Sequence, residues 1–200
     1  MQKLGPKHRI CRRVGAAVCG RPNCPSNKRP YPPGQHGQGR RRLSEYHIRL
    51  LEKQKLRAMY GVGEAQFRRY FHEATRKKAV TGEELLRLLE TRLDSLVLRL
   101  GFGQTMPQAR QLVSHGHIQL EGKRVDVPSA QVRPGQAIEP TAAGKNMIAV
   151  REALEVTPDP PPYVERDKEA VRGRLVRLPE RGEIPLPVPV EERLIVEFMS

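Results

Sequence analysis

Tryptophan is absent, and Phe and Tyr together make up 4% of the chain. Such a composition supports small cores and a large surface covered by solvent or by partners. No apolar run approaches the ~18 residues of a membrane span. Met1 to Ile10 carries basic residues but no apolar stretch, so a secretory signal is not expected and the protein should stay in the cytosol. In that compartment the 3 cysteines point to a metal site or free thiols rather than a disulfide framework. Acids are also scarce where bases are dense. Residues 1–60 hold 15 Lys or Arg against 2 acids, Glu45 and Glu52, whereas residues 61–200 hold 21 against 20. A basic arm on a near-neutral body is the footprint of a polyanion binder, because such an arm repels itself until a partner neutralises it.

What is there suggests one or two modest domains in 200 residues. Residues 1–42 have no apolar period and read as an irregular arm ordered by metal, RNA or both. Within it, Arg29-Pro30-Tyr31-Pro32-Pro33-Gly34-Gln35-His36-Gly37-Gln38 is stiff at its prolines and permissive at its glycines. Ser44 is a candidate N-cap for a helix to Met59, stopped by Gly61, with Arg49, Lys53 and Arg57 forming a basic stripe. A second helix is expected from Glu64 to about Arg76, burying Phe67, Phe71 and Ala74. Thr81-Gly82-Glu83-Glu84 reads as a capping box opening one helix through Leu85, Leu89, Leu93, Leu96 and Leu100 to Gly101. Thr105 and Pro107 start a short helix that ends at Gly116. Short strands are expected at Ile118–Leu120, Lys123–Val125 and Gln136–Ile138, and a helix over 146–155. Residues 157–190 are proline-rich and read as extended chain, and Leu194–Phe198 as a terminal strand.

The cysteines all lie in the arm, in the order His8-x2-Cys11-x7-Cys19-x4-Cys24. Two tight pairs joined by a short loop suit tetrahedral Zn²⁺, with a turn at Gly20-Arg21-Pro22-Asn23. A single structural zinc held by His8, Cys11, Cys19 and Cys24 is the expectation. The alternatives are three inert thiols, or His36 completing the shell. Four protein ligands leave no open position, which argues against catalytic zinc.

Phosphate contacts are expected from Arg12, Arg13, Lys28, Arg29, Arg40, Arg41, Arg42, Arg49, Lys53, Lys55 and Arg57. Tyr31, His36 and Tyr46 are candidates for stacking on unpaired bases. Gly34 and Gly37 would let backbone approach RNA closely, and Gln35 and Gln38 beside them are further candidates for RNA contact. The bland alternative is a solvated charged face.

The runs RPYPPGQHGQ (29–38) and RLLEKQKLR (49–57) closely resemble the bacterial small-subunit ribosomal protein S-four family. So do Arg92-Leu93-Asp94 through Arg99-Leu100-Gly101-Phe102, the run QARQLVSHGHI (108–118), GKRVDVPS (122–129), and the ending Ile195-Val196-Glu197-Phe198. The resemblance implies an α+β fold: an irregular basic arm (1–42), a mostly helical domain (43–91 plus 141–200), and a small α-α-β RNA-binding module (92–140) interrupting it. It implies direct binding to a junction in the five-prime domain of small-subunit ribosomal RNA, nucleation of subunit-body assembly, and a share in translational accuracy. Ribosomal protein S-five, and messenger RNA near its point of entrance, are the further implied partners, with no membrane. In the module the resemblance assigns RNA contact to Arg110, Ser114, His115, His117, Lys123 and Arg124, although His115 equally suits a helix C-terminus. Zinc-bearing members have four cysteines where this chain has His8 and three. Two other classes are weighed. An RNA-modifying enzyme would need a catalytic set, and no phosphate-binding Gly-rich loop or Ser/His/Asp set is found. A DNA architectural protein would share the salt dependence but not the RNA preference.

Overall fold

The computed structural model describes residues 8–39 and 44–200. In chain order its elements are α1 (Arg9–Val14), α2 (Glu45–Met59), α3 (Glu64–Thr75), α4 (Thr81–Glu90), α5 (Leu93–Arg99), α6 (Met106–Ser114), β1 (Ile118–Leu120), β2 (Lys123–Val125), β3 (Ala137–Pro140), α7 (Ala142–Lys145), α8 (Ile148–Val156), β4 (Val164–Asp167), β5 (Arg172–Leu175) and α9 (Glu192–Met199), with 3₁₀ turns at Pro25–Asn27 and Arg181–Glu183. The architecture is α+β. Two compact units form: Met1–Leu85 with Leu186–Ser200, and Leu86–Pro185. Residues 141–185, expected with the helical domain, thus cluster with the module.

In the first unit Ser44 caps α2 by accepting from the His47 amide (3.2 Å), and Gly61 turns the chain at φ 58°. Leu56, Phe67, Phe71, Ala74 and Ile195 are buried, and α9 packs along α2. The terminal segment expected as a strand is therefore helical. Leu194, Ile195 and Phe198 recur at helical spacing, and the Phe198 ring lies 5.3 Å from that of Tyr46. The arm is also less irregular than expected, since α1 holds one buried residue, Cys11, and closes on Gly15 at φ 75°.

In the second unit the five strands run in the order β2-β1-β3-β5-β4, every pairing antiparallel. Ile118, Ile138, Val164 and Leu175 share a core with Leu93, Leu96 and Val97 of α5, Leu100 just past its end, and Leu112 and Val113 of α6. Gly173 allows that approach: a Cβ there would stand 2.3 Å from the Leu100 side chain. β4 and β5 lie in the stretch read as extended proline-rich chain. Its prolines flank the hairpin, and the Glu165↔Arg174 and Asp167↔Arg172 pairs carry the ladder. The expected continuous helix through Leu100 breaks between α4 and α5. There the Leu93 and Asp94 amides donate to Ala130 and Pro128 carbonyls, and the Val132 amide donates to Thr91. Backbone groups committed to another segment cannot continue a helix. The strand expected at Gln136–Ile138 is Ala137–Pro140.

Candidate metal centre and nucleic-acid interface

His8 and Cys11 stand one helical turn apart at the start of α1, which puts both on one face. The chain returns through Cys19, turns at Gly20 (φ 68°), and is closed by the Cys24 amide donating to Arg21 (3.2 Å). Pro25 then opens a 3₁₀ turn. These turns bring one donor atom from each of His8, Cys11, Cys19 and Cys24 within 4.8 Å of one another. The His8 Nδ1 lies 3.4 Å from Cys24 Sγ and 3.8 Å from Cys19 Sγ. A tetrahedral zinc with Zn–S about 2.3 Å and Zn–N about 2.0 Å would set S···N at about 3.5 Å, so the donors fit. The Ser26 hydroxyl adds an outer contact, 3.1 Å from Cys24 Sγ. Burial pushes the Cys11 thiol up to about 12, with backbone contact from Cys19 opposing. Burial would also raise Cys24, but hydrogen bonds from Ser26, Cys19 and His8 outweigh it and bring the thiol down to about 6. A divalent cation held by these sulfurs would favour the thiolate form of each. His36 is exposed and outside the cluster.

The proline–glycine loop folds against α1. Arg12 donates from Nε to the Tyr31 carbonyl (3.1 Å) and from its terminal nitrogen to Pro32 (3.4 Å), with its guanidinium 5.1 Å from the Tyr31 ring centre. Arg12 and Tyr31 therefore brace the arm rather than project from it. Gly37 closes the loop onto Gly34 (3.1 Å), and a Cβ on Gly37 would meet the Pro32 oxygen at 1.9 Å. Gly34 takes φ 107°, open to glycine alone at low cost. Arg13, Lys28, Arg29, Gln35, His36 and Gln38 are exposed around it. Arg40, Arg41 and Arg42 lie outside the described residues.

The α2 stripe is paired with acids of its own unit. Lys53 is 3% exposed, donates to Glu64 (2.7 Å), and sits 4.7 Å from the Phe198 ring centre. Arg57 donates to the other Glu64 oxygen (2.6 Å), Arg49 bridges Glu45 and Glu197 (3.2 Å each), and Lys55 pairs with Glu52. Lys53, expected at phosphate, is here buried and paired within its own unit. Its placement follows from the fact that α2 needs this face against α3 and α9. Tyr46 is 64% exposed beside Phe198. A basic face absent from the sequence expectations lies on α3 and just beyond. Arg68, Arg69, His72, Arg76, Lys77 and Lys78 are exposed opposite Phe67 and Phe71. The i, i+4, i+8 recurrence of Arg68, His72 and Arg76 is the signal that marks it.

In the second unit, Arg110 is drawn away from the surface. Arg92 and Arg110 both grip Asp94, which is fully buried, at 2.7–2.9 Å. Satisfying that carboxylate makes Arg110 a framework residue. Of the other module candidates, His115, His117 and Arg124 gather. His115 closes α6, its ring lies 6.3 Å from that of His117, and Arg124 on the edge strand β2 donates to the His115 carbonyl (3.2 Å). The Arg124 guanidinium covers Gly116, where a Cβ would stand 2.1 Å from it. Lys123 is exposed on the same strand, and the Ser114 hydroxyl bonds back to Gln111 (3.3 Å).

The outer sheet face is of a different kind. Acidic Glu139, Glu165 and Asp167 alternate there with Arg172 and Arg174, which leaves it near neutral. No helix among the described residues is long and apolar enough to cross a membrane.

Two family profiles match the chain: "Ribosomal protein S4/S9 N-terminal domain" over residues 2–90, and "S4 domain" over residues 91–138. Curated relatives align across nearly their whole length. The small ribosomal subunit protein uS4 of Dictyoglomus turgidum is 49% identical over 204 residues, covering 98% of this chain and 97% of the relative. That of Thermus thermophilus is 48% identical over 206 residues, covering 98% of each. That of Geobacillus thermodenitrificans is 51% identical over 197 residues, covering 98% and 97%.

Proposed function

The chain belongs to the uS4 family of small ribosomal subunit proteins, and from that premise we propose that it binds the five-prime domain of the small-subunit ribosomal RNA through three basic surfaces. Membership makes it a ribosomal component with an RNA-binding S4 domain, on the cytoplasmic ribosome, and not an enzyme. The proposed surfaces are the arm around the Gly34–Gln38 loop, the exposed face of α3, and the β2 edge with His115, His117, Lys123 and Arg124. The observation that carries the reading is the last of these. Three polar or cationic side chains, His115 and His117 from the α6–β1 turn and Arg124 from β2, converge inside the stretch that matches the S4 domain, with Lys123 exposed beside them on β2. Arginine forks and imidazoles suit a folded RNA junction, where phosphates and unstacked bases are exposed and the major groove is closed to side chains. Nucleation of subunit-body assembly, influence on accuracy, and contact with protein S-five and with messenger RNA are parts of the same proposal. One zinc on His8, Cys11, Cys19 and Cys24 would supply folding energy to an arm with few apolar residues.

Binding of the full-length chain to a five-prime-domain RNA fragment, with duplex DNA as competitor, tests this. Lys123→Ala with Arg124→Ala should weaken binding at moderate salt and lower the salt slope by about two, roughly one for each phosphate no longer neutralised. Equal displacement by DNA, or an unchanged slope, overturns the assignment of that edge.

A further inference from the structure

The three thiols of the His8 cluster are not equally placed. Cys11 is 0% exposed on a helix and Cys24 is 2% exposed against Ser26, whereas Cys19 stands partly open to solvent. All three sulfurs lie within 4.8 Å of one another. We propose that Cys19 is a peroxide-sensitive modification site, which closes a disulfide on Cys24 and thereby releases the arm's metal. The proposal rests on the zinc reading above only for the release step.

The chemistry balances with a hydroperoxide as oxidant. The Cys19 thiolate attacks one peroxide oxygen, the O–O bond breaks, and hydroxide or alkoxide leaves with the electron pair, giving a sulfenic acid. The Cys24 thiolate then attacks the Cys19 sulfur and expels hydroxide. Two sulfurs have given up two electrons in all, and the peroxide has taken them. Oxidant access selects Cys19 for the first step, because its sulfur is partly exposed while Cys11 and Cys24 are buried. Geometry selects Cys24 for the second. It is joined to Cys19 by the short turn Gly20-Arg21-Pro22-Asn23, outside any helix, whereas Cys11 is fixed in α1. With two of four ligands consumed, only His8 and Cys11 remain, too few for a structural zinc.

The full-length protein is first weighed in its native state, which gives its zinc content and tests the metal reading by itself. Hydrogen peroxide is then added stepwise. A zinc-binding dye reports release, a sulfenic-acid trap with peptide mapping reports the first cysteine oxidised, and a reductant with added zinc follows reversal. The expected result is a first mark on Cys19, a Cys19–Cys24 disulfide, and one zinc released per pair of thiols oxidised. Reduction should restore it. Cys19→Asp, which keeps an oxygen ligand, should retain its zinc at peroxide levels that strip the wild type. A first mark on Cys11 or Cys24, a disulfide to Cys11, or thiols intact at peroxide levels that oxidise a free cysteine peptide would overturn the proposal. A protein that holds no zinc yet forms the Cys19–Cys24 bond would overturn the metal reading and the release step while leaving the modification site standing.

Discussion

At the scale of the residue, His8 has the sharpest consequence. Its Nδ1 is close to two sulfurs at once, so the imidazole is placed to act as the fourth donor in the proposed zinc site. A structural zinc site in a small domain is worth about 10–16 kcal/mol across four ligands, so one ligand carries roughly 3 kcal/mol, about a hundredfold in affinity. His8→Ala should therefore lose zinc to a chelator about a hundred times more readily, and His8→Cys should not. Zinc retention in a graded chelator series, followed by native mass, measures both. Equal retention in wild type and His8→Ala would move the fourth ligand elsewhere. Lys53 and Arg110 make a complementary point. Charge alone makes each a candidate for phosphate contact, and each is held by a carboxylate inside its own unit. A charge count cannot distinguish a cation that faces RNA from one that faces Glu64 or Asp94, because the partner acid is 11 or 16 residues away.

At the scale of the element, Glu64 ties α2 to α3. It accepts from Lys53 and Arg57 and, at 3.3 Å, from Arg68. Burial alone would raise its pKa, but Lys53, then Arg57 and Arg68, hold it below the ordinary glutamate value. A depressed carboxyl stabilises the fold above its unfolded pKa of about 4.3. That contribution is lost as pH falls through the lower folded value. Glu64→Gln leaves the buried Lys53 ammonium without its anion, at a cost of about 2 kcal/mol near neutral pH. The urea midpoint should drop accordingly, and the gap to wild type should close in acid below about pH 4. A gap that persists unchanged at pH 3 would assign the loss to something other than the charge. The elements themselves were legible where one period dominates. The α2 cap at Ser44, the buried Phe67/Phe71 face of α3, and the β1–β2 turn at Glu121-Gly122 all stand where apolar spacing and glycine placed them. Those that were not legible depend on distant partners. The break at Thr91-Arg92 is caused by Pro128, Ala130 and Val132, and β4 and β5 exist because β3 offers an edge to pair with. The ending Leu194–Phe198 is apolar enough for either state, and packing on α2 settles it as helix.

At the scale of the whole molecule, a net charge of +14 is an attraction to polyanions only to the extent that its cations are unpaired at the surface. In the first unit the α2 cations are largely neutralised, and the exposed surplus shifts to α3 and the loop after it. Arg69, Arg76 and Lys78 have no side-chain partner among the described residues. Arg49 and Arg57, by contrast, are each engaged with acids. Surface cations that release counterions from RNA set the salt slope, about one unit per phosphate contact, while cations already paired within the protein release few. The triple change Arg69→Ala, Arg76→Ala, Lys78→Ala should then lower the slope of log affinity against log salt by about three and leave the urea midpoint nearly unmoved. Arg49→Ala with Arg57→Ala should do the reverse, costing stability while shifting the slope by less than about one unit. Binding to the same RNA fragment across a salt series, with unfolding measured in parallel, separates the two faces. A slope that falls with the α2 pair and not with the α3 triple would mean that the intramolecular ion pairs open when RNA binds, and that α2, not α3, meets the phosphates.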